Sequence, residues 1–333
     1  MAPNARSSTL ETKHPVLSGE YAVYTPPMNE MIDTIGDWID QRLTGGYIYG
    51  PSRFGKSRGV KWHVRSVLED RFHPKLPLVI WNRPSGRRQE GEFWNLLLTA
   101  SKFHFVSTLK RKKKEKGVAR DLFKQQLITL ARSARQNYAL LIIDEAQDIS
   151  LDELKWLMGL QNELDFEGFR FSVISIGSHQ LTYQPNYLAR TGNTHIAARF
   201  FAKDARYFGI RSEAELAYVL NGYDVDSDWP RGTNTSYLKY FAPIEFDKGR
   251  RLAHHAGDLW LAFSELLPPE FKAENRKLVQ EVPMLHIALT VEKALRELAS
   301  GKAWDSVTEY PSWLSAIAKT GFSEHMHRIT MRE

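Results

Sequence analysis

The hydrophobic pattern of the first two hundred residues alternates between helix-like and strand-like segments. Over residues 28–43 the apolar positions recur at three- and four-residue steps, which predicts an amphipathic helix. Short apolar runs after Gly45 and Gly46 predict strands, and helical patterns separate them. This alternation predicts an α/β fold, a parallel sheet flanked by helices. The predicted strands are 47–49, 76–81, 138–143, 171–176 and 205–210, and the predicted helices between them are 56–71, 91–108, 118–136 and 151–164.

After residue 210 the pattern becomes mainly helical. Ser212, with Glu215 three residues later, predicts a capping box at the start of a helix. Residues 222–247 have a loop-like composition, and helical patterns return over 248–267 and 284–300. The tail either docks a partner or forms a last helix of the smaller domain. The predicted organisation is an N-terminal arm (1–25), an α/β core (26–210), a helical lid (211–303) and a C-terminal tail (304–333).

Composition excludes several classes of protein. The 333 residues are 42% hydrophobic and 12% aromatic, enough for a sizeable core, and they include no cysteine. A disulfide scaffold, a cysteine nucleophile and a thiolate metal site are therefore excluded. The apolar runs are too short for a membrane helix, and the first twenty residues lack the apolar stretch of a signal peptide. We expect a soluble cytoplasmic protein without a membrane partner.

The positive charge is concentrated in one segment. The whole chain has a net charge of +6, and residues 110–120 alone contain seven basic side chains and one acid, which gives the same excess. Such a segment favours a polyphosphate backbone as partner, because binding releases condensed counterions. A solvated loop without a partner has the same composition, so this segment needs a second signal.

The strongest motif follows the first predicted strand. Residues 50–57 fit the phosphate-loop pattern G-x-x-x-x-G-K-[ST], between a strand and a helix. Backbone N–H groups of such a loop bind phosphates, Lys56 would reach the β- and γ-phosphates of ATP, and Ser57 would place its hydroxyl on Mg²⁺. The predicted nucleotide-binding residues are Gly50, Pro51, Ser52, Arg53, Phe54, Gly55, Lys56, Ser57 and Arg58.

A second motif completes this site. The strand predicted at 138–143 runs directly into Asp144 and Glu145. Carboxylates at the carboxyl end of a parallel strand face the ligand crevice. We therefore expect Asp144 to hold Mg²⁺ together with Ser57, and Glu145 to activate the attacking water.

Other polar residues are candidates for supporting roles. Ser178, and after it Gln180, follow the next strand and are placed to sense the γ-phosphate or the lytic water. Arg190 and Arg199 precede the fifth strand, and an arginine acting across a subunit boundary stabilises transition-state charge. Arg199 is the preferred candidate because it is closer to that strand.

These motifs together resemble a known family. The segments GPSRFGKS, LLIIDEAQ, ISIGSHQL and ARFF are similar to those of AAA+ regulators of DNA transposition, the TnsC/TniB group, and most of all to the short TnsC proteins of CRISPR-associated transposons. The resemblance implies a P-loop AAA+ core with a helical lid. One departure is that residues 256–261 contain no arginine where many AAA+ lids have a sensor arginine.

The resemblance also implies a function. It describes an ATP-bound homo-oligomer, as a ring or a helical filament, that assembles on double-stranded DNA and connects a target-selection complex to a transposase. Hydrolysis of ATP would drive disassembly. Lys56, Ser57, Asp144, Glu145 and Arg199 match the family's functional positions. The family's DNA contacts fall between the second and third strands, in an interval that also includes Arg83, and the predicted DNA-binding residues are Arg87, Arg88, Lys102, Lys110, Arg111, Lys112, Lys113, Lys114, Lys116 and Arg120.

Two other functions stay open at this point. A signalling or assembly ATPase that binds only proteins would have the same nucleotide motifs, with the basic segment as a surface loop. A nucleic-acid motor such as a helicase is less favoured, because the residues after the core are too few for a second RecA-like lobe.

Overall fold

The computed structural model describes residues 13–72, 75–86, 88–102, 117–272 and 280–330. The chain divides into two compact units, each described here by itself. The α/β unit consists of Pro27–Ser52 and Lys56–Tyr207. The helical unit consists of the described parts of Met1–Pro26, Arg53–Gly55 and Phe208–Glu333.

Five parallel strands form the sheet of the α/β unit, in the order β2-β3-β4-β1-β5. Each predicted strand is present. The fifth is only three residues long, because it pairs with Tyr47–Tyr49 of β1 alone and the chain enters the helical unit at Phe208. The strands are β1 Gly45–Tyr49, β2 Leu78–Asn82, β3 Tyr138–Asp144, β4 Arg170–Gly177 and β5 Asp204–Arg206.

Some of the helices belong to the α/β unit with this sheet, and the others form the helical unit. The helix predicted over 56–71 is interrupted at His63, and the one predicted over 91–108 ends at Ala100. The described helices, in chain order, are α1 Pro15–Ser18, α2 Pro26–Asp40, α3 Lys56–Trp62, α4 Val64–Arg71, α5 Glu90–Ala100, α6 Val118–Ser133, α7 Leu151–Phe166, α8 Gln184–Arg190, α9 Thr194–Phe200, α10 Glu213–Asp224, α11 Tyr237–Phe241, α12 Pro243–Asp247, α13 Ala256–Glu265, α14 Pro269–Lys272, α15 Met284–Ala299, α16 Trp304–Thr308, α17 Tyr310–Ala318 and α18 Phe322–Thr330.

The central strands are buried on both faces, as parallel strands between two helical layers must be. In β3 every residue after Tyr138 is buried. Because all five strands run the same way, their carboxyl ends meet at one edge of the sheet and their amino ends at the other. We call these the carboxyl edge and the amino edge. The carboxyl edge positions the phosphate loop, which follows β1.

The helical unit has its own hydrophobic core, which explains three sequence patterns. Trp313 is 1% exposed and Phe322 is completely buried in this core, so neither tail residue is available to dock a partner. Val16 and Tyr21 belong to the same core, so the described part of the predicted N-terminal arm packs here and contains α1. The segment predicted as a loop over 222–247 contains α11 and α12. No helix among the described residues has the length and apolar character needed to span a membrane.

Candidate nucleotide site at the carboxyl edge

The phosphate loop starts directly after β1 and ends at the first residue of α3. Gly55 has φ 116°, a backbone conformation that strongly favours glycine. At Gly50 a Cβ atom would lie 2.6 Å from the carbonyl oxygen of Tyr207, so a side chain there would collide with the main chain that follows β5. Both glycines of the motif are therefore required by the backbone path itself.

Lys56 is held inside this loop. Its side chain is 8% exposed, and Nζ donates to the carbonyl oxygens of Gly50 at 2.7 Å and Pro51 at 2.6 Å. Burial lowers the pKa of Lys56 to about 8, and the charges of Asp144 and Glu145 act in the opposite direction. A buried ammonium group that is hydrogen-bonded to carbonyl oxygens is matched to an anion, because nearby phosphate oxygens stabilise its charged form.

Asp144 and Ser57 fit a Mg²⁺ ion. Asp144 is 3% exposed at the end of β3, and burial raises its pKa, while a hydrogen bond from Ser57 lowers it. A buried carboxylate beside a hydroxyl is the pair that Mg²⁺ uses when substrate phosphates and water complete its shell. Among the described residues no group of three or more His, Asp or Glu side chains could hold a metal ion, so protein ligands alone do not form a closed metal cage.

Glu145 lies next to Ser57 and Asp144. Its Oε1 is 3.5 Å from Ser57 Oγ, and its backbone N–H donates to Asp144 Oδ1 at 3.0 Å. Glu145 has φ 58° and ψ 38°, the left-handed conformation, which turns the chain sharply after β3. The structure thus brings Lys56, Ser57, Asp144 and Glu145 together at the carboxyl edge, the arrangement that the two motifs predicted.

Gln147 is the residue that sequence reasoning missed. Its Nε2 donates to Glu145 Oε2 at 2.7 Å, and its Oε1 accepts from the backbone N–H of Ser178 at 3.1 Å. At Gly177 a Cβ atom would lie 2.4 Å from that Oε1, so glycine makes room for the amide. Gln147 therefore ties the Glu145 carboxylate to the end of β4. The signal in the sequence was a polar residue two positions after Glu145 in the same strand-end motif.

The supporting candidates occupy different settings. Ser178 Oγ is buried and has no hydrogen-bond partner among the described residues, whereas Gln180 is exposed. Arg190 is exposed at the end of α8. Arg199, in the last turn of α9, donates to Asn162 Oδ1 at 2.5 Å and is partly exposed. Both arginines lie outside the cluster around Lys56.

The remaining loop residues divide between the units. Ser52 and Arg58 are exposed in the α/β unit, and Pro51 is partly buried. Arg53 and Phe54 belong to the helical unit, where the carbonyl oxygen of Arg53 accepts from Leu285 N at 3.2 Å. The ring of Phe54 lies against Gly209 in that unit, at 2.9 Å from where a Cβ atom would stand.

The predicted DNA-binding residues are only partly described. Lys102 is exposed, whereas Arg88 pairs with Glu92 at 2.6 Å and Arg120 pairs with Glu163 at 2.5 Å. The others lie outside the described residues: Arg87, Lys110, Arg111, Lys112, Lys113, Lys114 and Lys116.

Arg83 lies in the same interval of the chain but is not a surface residue. Its side chain is 1% exposed and bonds the completely buried Glu153 at 3.0 Å. Glu153 also forms the capping box of α7 with Ser150. Arg83 therefore fixes the loop after β2 to the start of α7 and has no surface to offer a nucleic acid.

Comparison with known proteins finds a family model that resembles part of this chain. Residues 41–183 match the model of the AAA domain family. These residues make up less than half of the chain. The match spans the phosphate loop, the strand-end carboxylates and the end of β4, and the whole chain has the AAA+ P-loop ATPase fold, a five-stranded parallel sheet with helices and a C-terminal helical region.

Two solved structures illustrate the likeness of this fold to those of known proteins. The ORC2 protein of Aeropyrum pernix, solved in ADPNP and ADP complexes, is 13% identical with a TM-score of 0.51, over 89% of this chain and 70% of that chain. The ORC1 protein of the same organism, solved in complex with DNA, is 10% identical with a TM-score of 0.50, over 92% of this chain and 68% of that chain. At such identities the likeness concerns the fold alone. No curated protein matches the sequence.

Proposed function

We propose that this chain is an AAA+ ATPase that binds double-stranded DNA as a homo-oligomer and connects a target-selection complex to a transposase, with ATP hydrolysis driving disassembly. The observation that carries the enzymatic part is the cluster of Lys56, Ser57, Asp144 and Glu145 at the carboxyl edge of an AAA+ sheet. The transposition part rests on the resemblance of the motifs to the TnsC/TniB group.

Each residue of the cluster would have its own role in ATP hydrolysis. Lys56 would bind the β- and γ-phosphates, and Ser57 with Asp144 would hold Mg²⁺, which screens phosphate charge when bound. Glu145 would accept a proton from water as a general base, and Gln147 would hold its carboxylate in place. Ser178, with its unpartnered hydroxyl, would hydrogen-bond the γ-phosphate or the water. Arg199, or else Arg190, would act from the neighbouring copy.

DNA binding has two supports. Residues 110–116 and Arg120 hold the charge excess of the whole chain, and phosphate contacts from such a segment give affinity without base specificity. The ORC1 protein, which shares the fold, was solved in complex with DNA. We therefore expect sequence-tolerant binding that requires the ATP-bound oligomer.

The test is fluorescence anisotropy of a labelled 40-base-pair duplex, with and without ATP and Mg²⁺, in a salt series. Wild type is compared with Lys56→Ala, and with a variant in which Lys112, Lys113 and Lys114 are changed to Glu. Phosphate release is measured in parallel. The matched controls are Lys319→Ala, and Glu at the exposed Lys13, Lys155 and Lys319 together.

We expect ATP-dependent binding that weakens steeply with salt and is lost in both test variants but not in the controls. Wild type that hydrolyses ATP but ignores DNA would instead favour the ATPase that binds only proteins. Normal binding by the triple lysine variant alone would leave the ATPase intact and place the DNA contacts elsewhere.

A further inference from the structure

A cleft rich in arginine lies at the amino edge of the sheet, opposite the nucleotide site. It has a volume of about 940 Å³, and four exposed arginines line it: Arg42, Arg132, Arg135 and Arg170. Asp40 is the one acid in the described lining, and it is already bonded to Arg71 at 2.6 Å. The cleft therefore carries a positive charge that its own walls do not neutralise.

The arginines of the cleft share a lack of acid partners. None of its four arginines forms an ion pair with a residue that the structure describes. Elsewhere arginines commonly have a carboxylate within reach, and those that do are Arg65, Arg71, Arg83, Arg88, Arg120, Arg211, Arg250 and Arg296. Four such arginines in one cleft point to a charge that is kept available for a partner outside the chain.

Backbone conformation gives a second, independent sign. Arg42 has φ 56° and Arg135 has φ 55°, the left-handed region in which glycine or asparagine is the usual residue after a helix. Retaining arginine there costs conformational free energy, and such outliers cluster at functional sites. Attraction to the helix dipole accounts for arginines that follow α2 and α6, but not for Arg170, which is the first residue of β4.

The strand order sets the spacing of these charges. Arg135 precedes β3 by three residues, Arg170 begins β4 and Arg42 precedes β1 by three residues, and these strands are neighbours. Adjacent strands lie ~4.8 Å apart, so the three strand starts span roughly 10 Å. The backbone bond from Arg170 N to Asn137 O, 2.7 Å long, holds two of them together. A DNA duplex carries one negative charge per ~1.7 Å of its axis, so several phosphates fit this span.

The lining favours phosphate over a protein partner. Guanidinium groups bind phosphate oxygens in pairs, and the cleft adds the amides of Gln136 and Asn137. Protein interfaces need a buried apolar core. The apolar and aromatic lining here is limited to Ile39, Tyr138 and the ring of Phe72, which Arg71 overlies at 5.2 Å. A neighbouring cavity of about 280 Å³ shares Arg42 and Arg170 and adds Arg199, with Asp165 as its acid.

We infer that this amino-edge cleft is a second nucleic-acid site, which binds the phosphate backbone of a DNA duplex through Arg42, Arg132, Arg135 and Arg170. The inference rests on the DNA binding of the proposed function, but uses none of the residues proposed there. It places DNA contacts and nucleotide contacts at opposite edges of one sheet.

The test uses two double variants of the full chain that remove the same charges. Arg42→Gly with Arg135→Gly relieves the left-handed backbone, whereas Arg42→Ala with Arg135→Ala does not, so a loss shared by both cannot come from misfolding. The control removes two exposed arginines without acid partners in the described structure, as Arg231→Ala with Arg328→Ala. Anisotropy of a 30-base-pair duplex with ATP and Mg²⁺ is measured in a salt series, with phosphate release and sedimentation without DNA.

Each lost phosphate contact lowers the slope of log affinity against log salt by ~0.9, so we expect both double variants to lose about 1.8 units of slope. The control keeps the wild-type slope, and phosphate release without DNA is unchanged in all three. Wild-type slopes in both double variants would overturn the inference and leave the DNA binding of the wild type standing. Absence of DNA binding by wild type would remove the proposed function as well. An altered sedimentation with an unchanged slope would overturn it in favour of a second copy of the chain.

Discussion

The two edges of the sheet differ in charge and in how that charge is held. At the carboxyl edge, Lys56 donates to loop carbonyl oxygens and Asp144 accepts from the backbone N–H of Glu145. Lys56 and Asp144 are almost completely buried. At the amino edge, exposed arginines have no bonded acid in the described structure. The first arrangement suits chemistry on a fixed ligand, and the second suits a polyanion that binds and leaves. Variants at one edge should therefore spare the function of the other.

The largest effect is expected from Glu145→Gln. Loss of a general base typically lowers the rate by ~10²–10⁴-fold. Nucleotide affinity should persist because Lys56 and Asp144 remain, and duplex binding should keep the wild-type salt slope. Single-turnover phosphate release, with binding of a fluorescent ATP analogue, measures both quantities. Hydrolysis within threefold of wild type would show that Glu145 is not the base.

A smaller loss of hydrolysis rate is expected when Gln147 is changed. Gln147→Ala frees the Glu145 carboxylate, and we expect roughly tenfold slower hydrolysis with unchanged nucleotide affinity. Gly177→Ala should act in the same direction, since its Cβ would displace the amide by steric contact. The control is Gln125→Ala, an exposed glutamine of α6.

The pH dependence of hydrolysis tests whether Gln147 positions the Glu145 carboxylate or only packs against it. In Gln147→Glu a second carboxylate faces Glu145, and like charges raise the pKa of the pair. The acidic limb of the hydrolysis profile should then move to higher pH. An unchanged profile, together with full activity in Gln147→Ala, would remove Gln147 from the mechanism.

These residues show what the sequence could and could not predict. The five strands and the two nucleotide motifs were predictable, because apolar runs and motif spacing are local features. Gln147 was not, because its role depends on β4 lying beside β3. The arginine cleft was not predictable either: Arg42, Arg135 and Arg170 are far apart in sequence and meet only through the strand order. Arg83 looked like a surface charge, because no sequence pattern predicts that it pairs with the buried Glu153.

Nucleotide affinity should depend on pH through Lys56. Burial lowers its pKa to about 8, and only the protonated form pairs with phosphate. Above that pH, binding must take up a proton, so affinity should fall as pH rises, by up to ~tenfold per unit. Isothermal titration calorimetry from pH 7 to 9.5 measures it. Lys56→Arg binds more weakly but stays charged, so its affinity should not change over this range; a flat wild-type curve would contradict the assignment.

The smallest effect concerns the stability cost of the amino edge. At φ 55° an alanine in place of Arg135 retains the strained backbone, whereas a glycine removes it. We expect Arg135→Gly to be more stable than Arg135→Ala by about 1 kcal/mol, although both remove the same charge. Thermal unfolding of the two variants measures the difference, and the same pair should bind DNA equally.

Equal stability of the two variants would mean that arginine has no conformational cost at this position, and the backbone would no longer argue for a retained function. A stability gain without a binding loss would mean that the charge at this edge does not contact DNA. Only a gain in stability combined with a loss of salt-dependent binding matches a charge kept at the expense of the fold.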